Sequence, residues 1–257
     1  MTGSRSLAQP PLRVEADALA VADQVAMRLQ AALAQGATLG LATGRTMEPV
    51  YRALVQRLQA LPEPDCLGLL ASWCSFNLDE YVGLGPKDPG SFAAFMRRHL
   101  ALPLRLPSER LQLPDGLAGD PQAEALRYAQ ALRAAGGIDL QLLGLGRNGH
   151  VGFNEPPCLP EAPCRCLALS SSTRQQNAGA FGGDPQAVPP QAITLGLAEI
   201  LSARQLLLVV TGAEKAEILR RSLQEPPCPE VPASWLQGHP GLEVIADRGA
   251  AAALQLS

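Results

Sequence analysis

The chain has 257 residues, of which 47% are hydrophobic, 18% charged and 4% aromatic, with a formal net charge of -3 at pH 7. This length can bury a full core, and the even spread of charge argues against nucleic acid or a membrane surface as partner. Residues 1–13 do not resemble a secretory signal, and no apolar run reaches the roughly eighteen residues of a membrane span. We therefore expect a cytoplasmic protein with one domain over residues 1–257, a flexible segment at 1–13, and a small molecule as its partner.

The first part of the chain predicts a helix, a strand and a second helix. Apolar residues recur at helical spacing from Ala16 to Gln35 and stop at Gly36, which is typical of a helix that ends at a glycine. The short apolar run from Thr38 to Ala42 predicts a strand. A turn at residues 43–46 separates it from a second helical pattern, which runs from Pro49 to Gln59.

The next apolar run, from Trp73 to Leu78, predicts a strand that leads directly into Asp79-Glu80-Tyr81. Ser91 can cap a helix after it. Residues 102–119 are rich in proline and turn signals, so we expect an irregular connection there. Asp120 followed by proline is typical of a helix start, and this helix should extend to Ala135.

The stretch from Ile138 to Pro156 reads I-D-L-Q-L-L-G-L-G-R-N-G-H-V-G-F-N-E-P. Its apolar first half predicts a strand buried on both faces of a parallel sheet. Its second half is a glycine-rich turn that brings the backbone close to a ligand together with three polar side chains, Asn148, His150 and Glu155. We expect the functional site to begin at this turn.

The last part of the chain repeats the alternation of strands and helices. A short strand is expected near Leu167, and a loop at residues 182–190. The apolar run from Leu206 to Val210 predicts another buried strand. The elements expected after it are a helix at 213–223, a short helix at 232–238, a strand at 242–246 and a helix at 248–254.

This alternation predicts an α/β fold with a single doubly wound, mostly parallel sheet and helices on both faces, as in Rossmann-like proteins. Such sheets bind ligands beyond the carboxyl ends of their strands. The turn at 43–46, the Asp79 segment, the turn at 148–155 and Lys215 all follow predicted strands directly. We therefore expect them to share one edge of the sheet.

The turn formed by Thr43, Gly44, Arg45 and Thr46 has the composition of an anion site. It lies between a strand and a helix, so its backbone N–H groups and the helix dipole favour an anion such as phosphate. It lacks the spacing of a nucleotide-binding P-loop. Taken alone, a turn of this kind is more often an ordinary turn. Arg174 and Lys215, however, are two further cations that can complete a phosphate clamp.

Asp79 is the predicted base, although a lone aspartate at this position is also consistent with a surface carboxylate or a helix cap. In an extended backbone, neighbouring side chains point to opposite faces, so only one of Asp79 and Glu80 should enter the pocket. A partly buried Asp79 can take a proton from a carbon next to a carbonyl, provided that burial raises its pKa.

His150 is the predicted second acid-base group. Glu155 can accept a proton from one ring nitrogen and Asn148 can orient the ring, which leaves the other nitrogen for a substrate. An acyl-transfer triad is less well supported because no serine lies on a G-x-S-x-G turn. The turn offers too few ligands for a metal ion.

Six cysteines show no C-x-x-C spacing, so we expect reduced thiols and no metal site: Cys66, Cys74, Cys158, Cys164, Cys166 and Cys228.

Six segments, in this order, resemble the glucosamine-6-phosphate deaminases, which belong to a superfamily shared with the 6-phosphogluconolactonases. They are L-G-L-A-T-G-R-T, F-N-L-D-E-Y-V-G-L, the stretch from Ile138 to Pro156, S-T-R-Q-Q-N-A, A-I-T-L-G-L and V-T-G-A-E-K-A. The resemblance implies an α/β fold of the NagB type. Arg45 and Asn148 depart from the residues that are common in that family.

The resemblance also implies a reaction, the cofactor-independent conversion of glucosamine 6-phosphate and water into fructose 6-phosphate and ammonia. His150 with Asn148 and Glu155 would open the sugar ring, Asp79 would move a proton from C2 to C1, and residues 43–46 with Arg174 and Lys215 would hold the phosphate. The alternatives are a galactosamine-6-phosphate deaminase, a 6-phosphogluconolactonase, or a non-catalytic sugar-phosphate-binding module. The protein is expected to be a monomer or a small homo-oligomer.

Overall fold

The structure is a computed structural model that describes residues 10–255. Its strands are β1 (Leu12–Glu15), β2 (Thr38–Leu41), β3 (Cys74–Asn77), β4 (Asp79–Tyr81), β5 (Leu111–Gln112), β6 (Leu140–Gly144), β7 (Arg165–Ala168), β8 (Gln191–Thr194), β9 (Gln205–Val210) and β10 (Leu242–Asp247). Its α-helices are α1 (Ala18–Ala34), α2 (Met47–Gln59), α3 (Glu63–Ala71), α4 (Phe92–Met96), α5 (Leu102–Leu104), α6 (Pro121–Ala134), α7 (Ser171–Asn177), α8 (Leu197–Leu201), α9 (Ala216–Gln224) and α10 (Arg248–Ala251).

The main sheet has seven strands in the order β1-β10-β9-β6-β2-β3-β5, and every pairing between them is parallel. The inner strands β6 and β9 expose almost no residue on either side, because helices cover both faces. The predicted doubly wound α/β fold is therefore confirmed. The predicted central strand, β6, lies in the middle of the sheet with β9 and β2 as its neighbours.

Side chains at the helix starts explain where the long helices begin. Asp17 accepts hydrogen bonds from the backbone N–H groups of Leu19 and Ala20, both at 2.9 Å, and α1 begins at the next residue after it. Asp120 caps α6 in the same way, with proline in the first turn, as the sequence predicted.

A second, three-stranded antiparallel sheet in the order β4-β8-β7 lies beside the main one. Leu78 joins the two sheets, since its N–H donates to Leu41 in β2 and its carbonyl accepts from Leu195 after β8. A small aromatic cluster supports this sheet; its rings belong to Tyr81, Phe92, Phe153 and Phe181. This arrangement fixes Asp79 at the junction of the two sheets.

Several elements differ from the sequence-based expectation. Leu12 and Arg13, predicted in a flexible segment, lie in β1, which pairs with β10 at the edge of the sheet; residues 1–9 of that segment lie outside the described residues. Helix α3, strand β8 and helix α8 were not predicted, and a single turn of 3-10 helix precedes α9. Residues 102–119 are largely irregular, as expected, but contain the short edge strand β5.

Candidate functional site

Three loops meet at the carboxyl edge of the main sheet because β2, β6 and β9 are neighbours there. They are residues 42–46, residues 145–156 and residues 211–215. One hydrogen bond joins two of them directly: Lys215 Nζ donates to the carbonyl oxygen of Leu145 at 2.7 Å. The structure thus places the polar turns at one edge.

A cavity of about 790 Å³ opens at this edge. Its walls include residues 43–46 and Lys215, which were predicted to bind phosphate, and two arginines that were not predicted, Arg98 and Arg147. The opposite wall comes from the segment that contains α4 and from residues 175–180. The cavity is therefore bordered by cations on the side of the three loops.

The cations at this wall have no carboxylate partner. Burial lowers the pKa of Lys215, and the neighbouring guanidinium groups of Arg147 and Arg45 lower it further, while Glu214 opposes them. Within residues 10–255, neither arginine nor Lys215 forms an ion pair. Positive charges held close together without a counter-ion favour the binding of an anion.

The backbone at the start of α2 adds further donors to the same wall. Gly44 has φ of +112°, a conformation that suits glycine, and Met47 N–H closes the turn onto Gly44 O at 2.9 Å. Thr46 is the N-cap residue of α2, but its side chain accepts no hydrogen bond from the helix backbone. The first N–H groups of α2 are thus free of a side-chain cap, as the predicted anion site requires.

Asp79 lies beside the turn that carries His150. It is 5% exposed, and burial followed by the charge of Glu80 raises its pKa from 3.8 to about 8. A Cβ atom added to Gly152, two residues after His150, would lie 3.5 Å from Asp79 Oδ2. The structure thus places Asp79 close to the loop that carries His150, while neither residue is among those that border the cavity and the chemical role of each stays a prediction.

Glu80 points away from Asp79, as the alternation of an extended strand requires. Its Oε1 accepts from the N–H groups of Tyr81 and Phe92 at 2.8 and 2.9 Å, and its Oε2 accepts from Ala93 at 2.8 Å. Glu80 therefore holds the start of α4, and burial raises its pKa to about 7.

The ring of His150 is held by Asn148. Asn148 Oδ1 accepts from the backbone N–H of His150 at 3.3 Å and lies 2.6 Å from its Nδ1. Because a backbone N–H can only donate, the shared atom is an oxygen, and Nδ1 must carry the proton that points at it. Burial lowers the pKa of His150 to about 4. The ring is therefore neutral at pH 7, with Nε2 left as a proton acceptor.

Glu155 does not make the predicted hydrogen bond to His150. Its carboxylate accepts instead from the N–H of Ser170 at 3.1 Å and from the Ser170 hydroxyl at 2.8 Å. Glu155 still acts on the ring through space, since its charge raises the pKa of His150 against the larger effect of burial. The expectation was wrong because the partner comes from the start of α7, which the local sequence around Glu155 does not reveal.

Arg174 is not among the residues that border the cavity. Its Nε donates to the carbonyl of Val188 and its Nη2 to the carbonyl of Gln186, both at 3.1 Å. The guanidinium thus fastens α7 to the loop before β8. The predicted phosphate clamp is corrected accordingly: Arg147 and Arg98 border the cavity, and Arg174 does not.

Arg147 could have been found from the sequence. It follows β6 directly, inside the glycine-rich turn, and it is exposed at the cavity wall. Arg98 gives no such signal, because it lies in a helical segment, the π-helix at Arg97–Ala101, and not in a turn that directly follows a strand. Asn177 also went unnoticed; its side chain donates to the Tyr81 hydroxyl at 2.9 Å and borders the cavity.

Within residues 10–255 no cluster of histidine, cysteine, aspartate and glutamate side chains is arranged to hold a metal ion. The six cysteines are free thiols. None of the helices in the described part of the chain is long and apolar enough to cross a membrane.

Sequence comparison gives consistent relatives. Residues 13–245 match the family model of glucosamine-6-phosphate isomerases and 6-phosphogluconolactonases. The glucosamine-6-phosphate deaminase of Rhodopirellula baltica is 44% identical over 218 residues, 84% of each chain. That of Geobacillus sp. is 43% identical over 212 residues, 82% of each chain.

Structure comparison agrees with the sequence. A solved monomeric glucosamine-6-phosphate deaminase superposes with a TM-score of 0.88 at 35% identity, covering 95% of this chain and 100% of that one. The 6-phosphogluconolactonase of Trypanosoma cruzi has a TM-score of 0.75 at 18% identity, covering 96% of this chain and 98% of that one, a likeness of fold alone.

Proposed function

We propose that this chain, which belongs to the family of glucosamine-6-phosphate isomerases and 6-phosphogluconolactonases, is a glucosamine-6-phosphate deaminase. It converts glucosamine 6-phosphate and water into fructose 6-phosphate and ammonia. The observation that supports this proposal most strongly is the buried carboxyl group of Asp79, which lies close to Gly152 in the loop that carries His150. The cavity bordered by residues 43–46 and Lys215 adds cations without ion-pair partners.

The substrate phosphate binds at the start of α2. The turn at residues 43–46 supplies backbone N–H groups, and Lys215, Arg45 and Arg147 supply positive charge within reach of the same wall. A phosphate held here anchors one end of the sugar, so that the reacting carbons can be positioned against Asp79 and His150. Arg98 at the opposite wall adds a further cation.

Ring opening is the task of His150. In the tautomer that Asn148 fixes, Nε2 accepts the proton of the anomeric hydroxyl and returns it to the ring oxygen, which gives the open-chain aldehyde. The low pKa keeps this nitrogen unprotonated at pH 7. Asn148 acts by orienting the ring, and Glu155 acts through its charge, without a direct hydrogen bond.

Asp79 then moves a proton between two carbons. Its carboxylate removes the proton at C2, and the C1 carbonyl becomes an enol whose oxygen takes a proton from the ammonium group at C2. The proton on Asp79 then adds to C1 while the nitrogen lone pair forms the C=N bond, which leaves a protonated imine at C2. Water adds to that imine and ammonia leaves, so no electrons are exchanged with another molecule. A pKa of about 8 suits a group that must both take and return a proton near neutral pH.

The test is turnover of glucosamine 6-phosphate by purified protein, with ammonia and fructose 6-phosphate measured in parallel. The two products should form in equal amounts. Galactosamine 6-phosphate and 6-phosphogluconolactone, assayed at the same concentration, distinguish this activity from its two closest alternatives. Folded protein that releases no ammonia from glucosamine 6-phosphate would refute the proposal.

The protein acts as a monomer in this proposal, with a small homo-oligomer as the alternative. The support is the solved relative of TM-score 0.88, which is described as monomeric. Light scattering coupled to size-exclusion chromatography gives the mass directly; a mass of two or more chains would contradict the monomer. The cytoplasmic location stays a prediction.

A further inference from the structure

Tyr81 is a buried tyrosine that borders the cavity. It is the last residue of β4, and only 2% of it is exposed. Its ring packs against those of Phe92, Phe153 and Phe181, with centroids 4.7, 5.5 and 5.5 Å away. Three aromatic neighbours hold the ring in place, so the hydroxyl group at its end has a defined position.

The hydroxyl group of Tyr81 uses only part of its hydrogen-bonding capacity. Asn177 Nδ2 donates to its oxygen at 2.9 Å, and both residues of this pair border the cavity. A phenol hydroxyl also has one proton to donate. Among the residues that the structure describes, no oxygen accepts that proton. The cavity is therefore the side from which an acceptor can reach it.

Tyr81 also lies on the face of β4 that carries Asp79. Residues two apart in a strand point to the same face and are about 7 Å apart along the chain, whereas Glu80 between them points to the other face. Burial raises the pKa of Tyr81, and the negative charge of Asp79 raises it further, as expected for neighbouring side chains. The hydroxyl thus keeps its proton at neutral pH and meets a ligand as a donor.

The chemistry around this donor indicates which group of a sugar phosphate meets it. An anionic acceptor would lie close to the Asp79 carboxylate, and like charges disfavour each other. The phosphate is drawn instead to residues 43–46 and Lys215. The neutral oxygens that lie between the phosphate at C6 and the reacting carbons C1 and C2 are the sugar hydroxyl groups. A hydroxyl oxygen is an acceptor that Tyr81 can bind without charge repulsion.

We propose that Tyr81 is a specificity-determining residue: its hydroxyl donates a hydrogen bond to the substrate hydroxyl group at C3 or C4. Asn177 fixes the phenol oxygen and leaves its proton to the sugar. A substrate without that hydroxyl group leaves a buried donor unpaired, which weakens its binding. The inference rests on the proposed function, because it states how the same site recognises its sugar.

The test measures the binding of three sugar alcohols by calorimetry. The first is the alcohol obtained by reducing glucosamine 6-phosphate at C1, which has no carbonyl and cannot react. The other two are its 3-deoxy and 4-deoxy analogues. In the unmodified protein, removal of the recognised hydroxyl group should raise Kd about five- to tenfold. In Tyr81→Phe, the same removal should change Kd less than about twofold, because the donor is already gone.

Tyr128→Phe is the matched control. Tyr128 is also buried, but its hydroxyl donates to the carbonyl of Asn77 at 2.8 Å and the residue does not border the cavity. This variant should distinguish the three alcohols as the unmodified protein does.

Two results would overturn the inference. One is that the unmodified protein binds all three alcohols equally well, or binds none of them. The other is that folded Tyr81→Phe distinguishes them as strongly as the unmodified protein and Tyr128→Phe do. Since the alcohols are not turned over, these outcomes are separate from a failure of the proposed deamination, which is measured as missing ammonia release from glucosamine 6-phosphate.

Discussion

Replacing Asp79 with asparagine should stabilise the fold. Asparagine has nearly the same shape but no charge to lose, whereas the buried carboxyl group has its pKa raised from 3.8 to about 8. At pH 7 the folded protein therefore keeps the proton that the unfolded chain releases. A difference of 1 between the pKa values of the folded and unfolded states corresponds to about 1.4 kcal/mol. At pH 7, release of the Asp79 proton on unfolding therefore favours the unfolded state by up to about 4 kcal/mol.

The sign of the effect follows from the raised pKa. The stability that Asp79 contributes is complete below 3.8, the pKa of the unfolded chain, and is lost progressively as the pH rises to about 8. Asp79→Asn should therefore exceed the unmodified protein by about 1 kcal/mol at about pH 4.5 and by about 5 kcal/mol at about pH 7.5.

Urea unfolding at both pH values measures this difference as a free energy of unfolding. Asp65→Asn, an exposed aspartate in α3, is the control, and its free energy of unfolding should show no comparable dependence on pH. If Asp79→Asn shows the same advantage at both pH values, or none at either, Asp79 is not a desolvated acid and the reasoning fails.

Four further outcomes are expected. The value of kcat/KM should rise with pH and level off above about 8, because Asp79 must lose its proton to act; initial rates across that range measure this. Lys215→Met should raise KM at least about tenfold with a smaller loss of kcat, because a charge-assisted contact to phosphate is removed. Arg147→Gln should raise KM in the same sense, and inhibition by inorganic phosphate should weaken in both variants. Arg174→Gln should lower the free energy of unfolding by about 1 to 3 kcal/mol without changing KM, since its partners are carbonyl groups of the chain.

Local sequence patterns were sufficient to predict the helices and strands whose apolar residues recur at a regular spacing, or whose start has a capping residue. Helices α1 and α6 follow from apolar spacing and an aspartate at each start, and β6 and β9 follow from continuous apolar runs. The second sheet could not be predicted in this way. Its strands are short, and the pairing of Asp79 with Thr194 joins residues that are far apart in the chain and give no local signal.

The same limit applies to the candidate site. The turns after β2, β6 and β9 were predictable, because the ends of neighbouring parallel strands must meet. Side-chain partners were not, since Glu155 binds Ser170 and Arg174 binds carbonyl groups before β8. Sequence identified the turns that reach the edge, but the final hydrogen bonds depend on loops that come from elsewhere in the chain.

The turnover of glucosamine 6-phosphate by Asp79→Asn tests the central claim most directly, because Asp79 is assigned the proton transfer between C2 and C1. Fructose 6-phosphate formation should fall by about a hundredfold or more, as expected for the loss of a general base, while glucosamine 6-phosphate still binds to the folded variant in calorimetry. Turnover within tenfold of the unmodified protein would show that another group moves the proton.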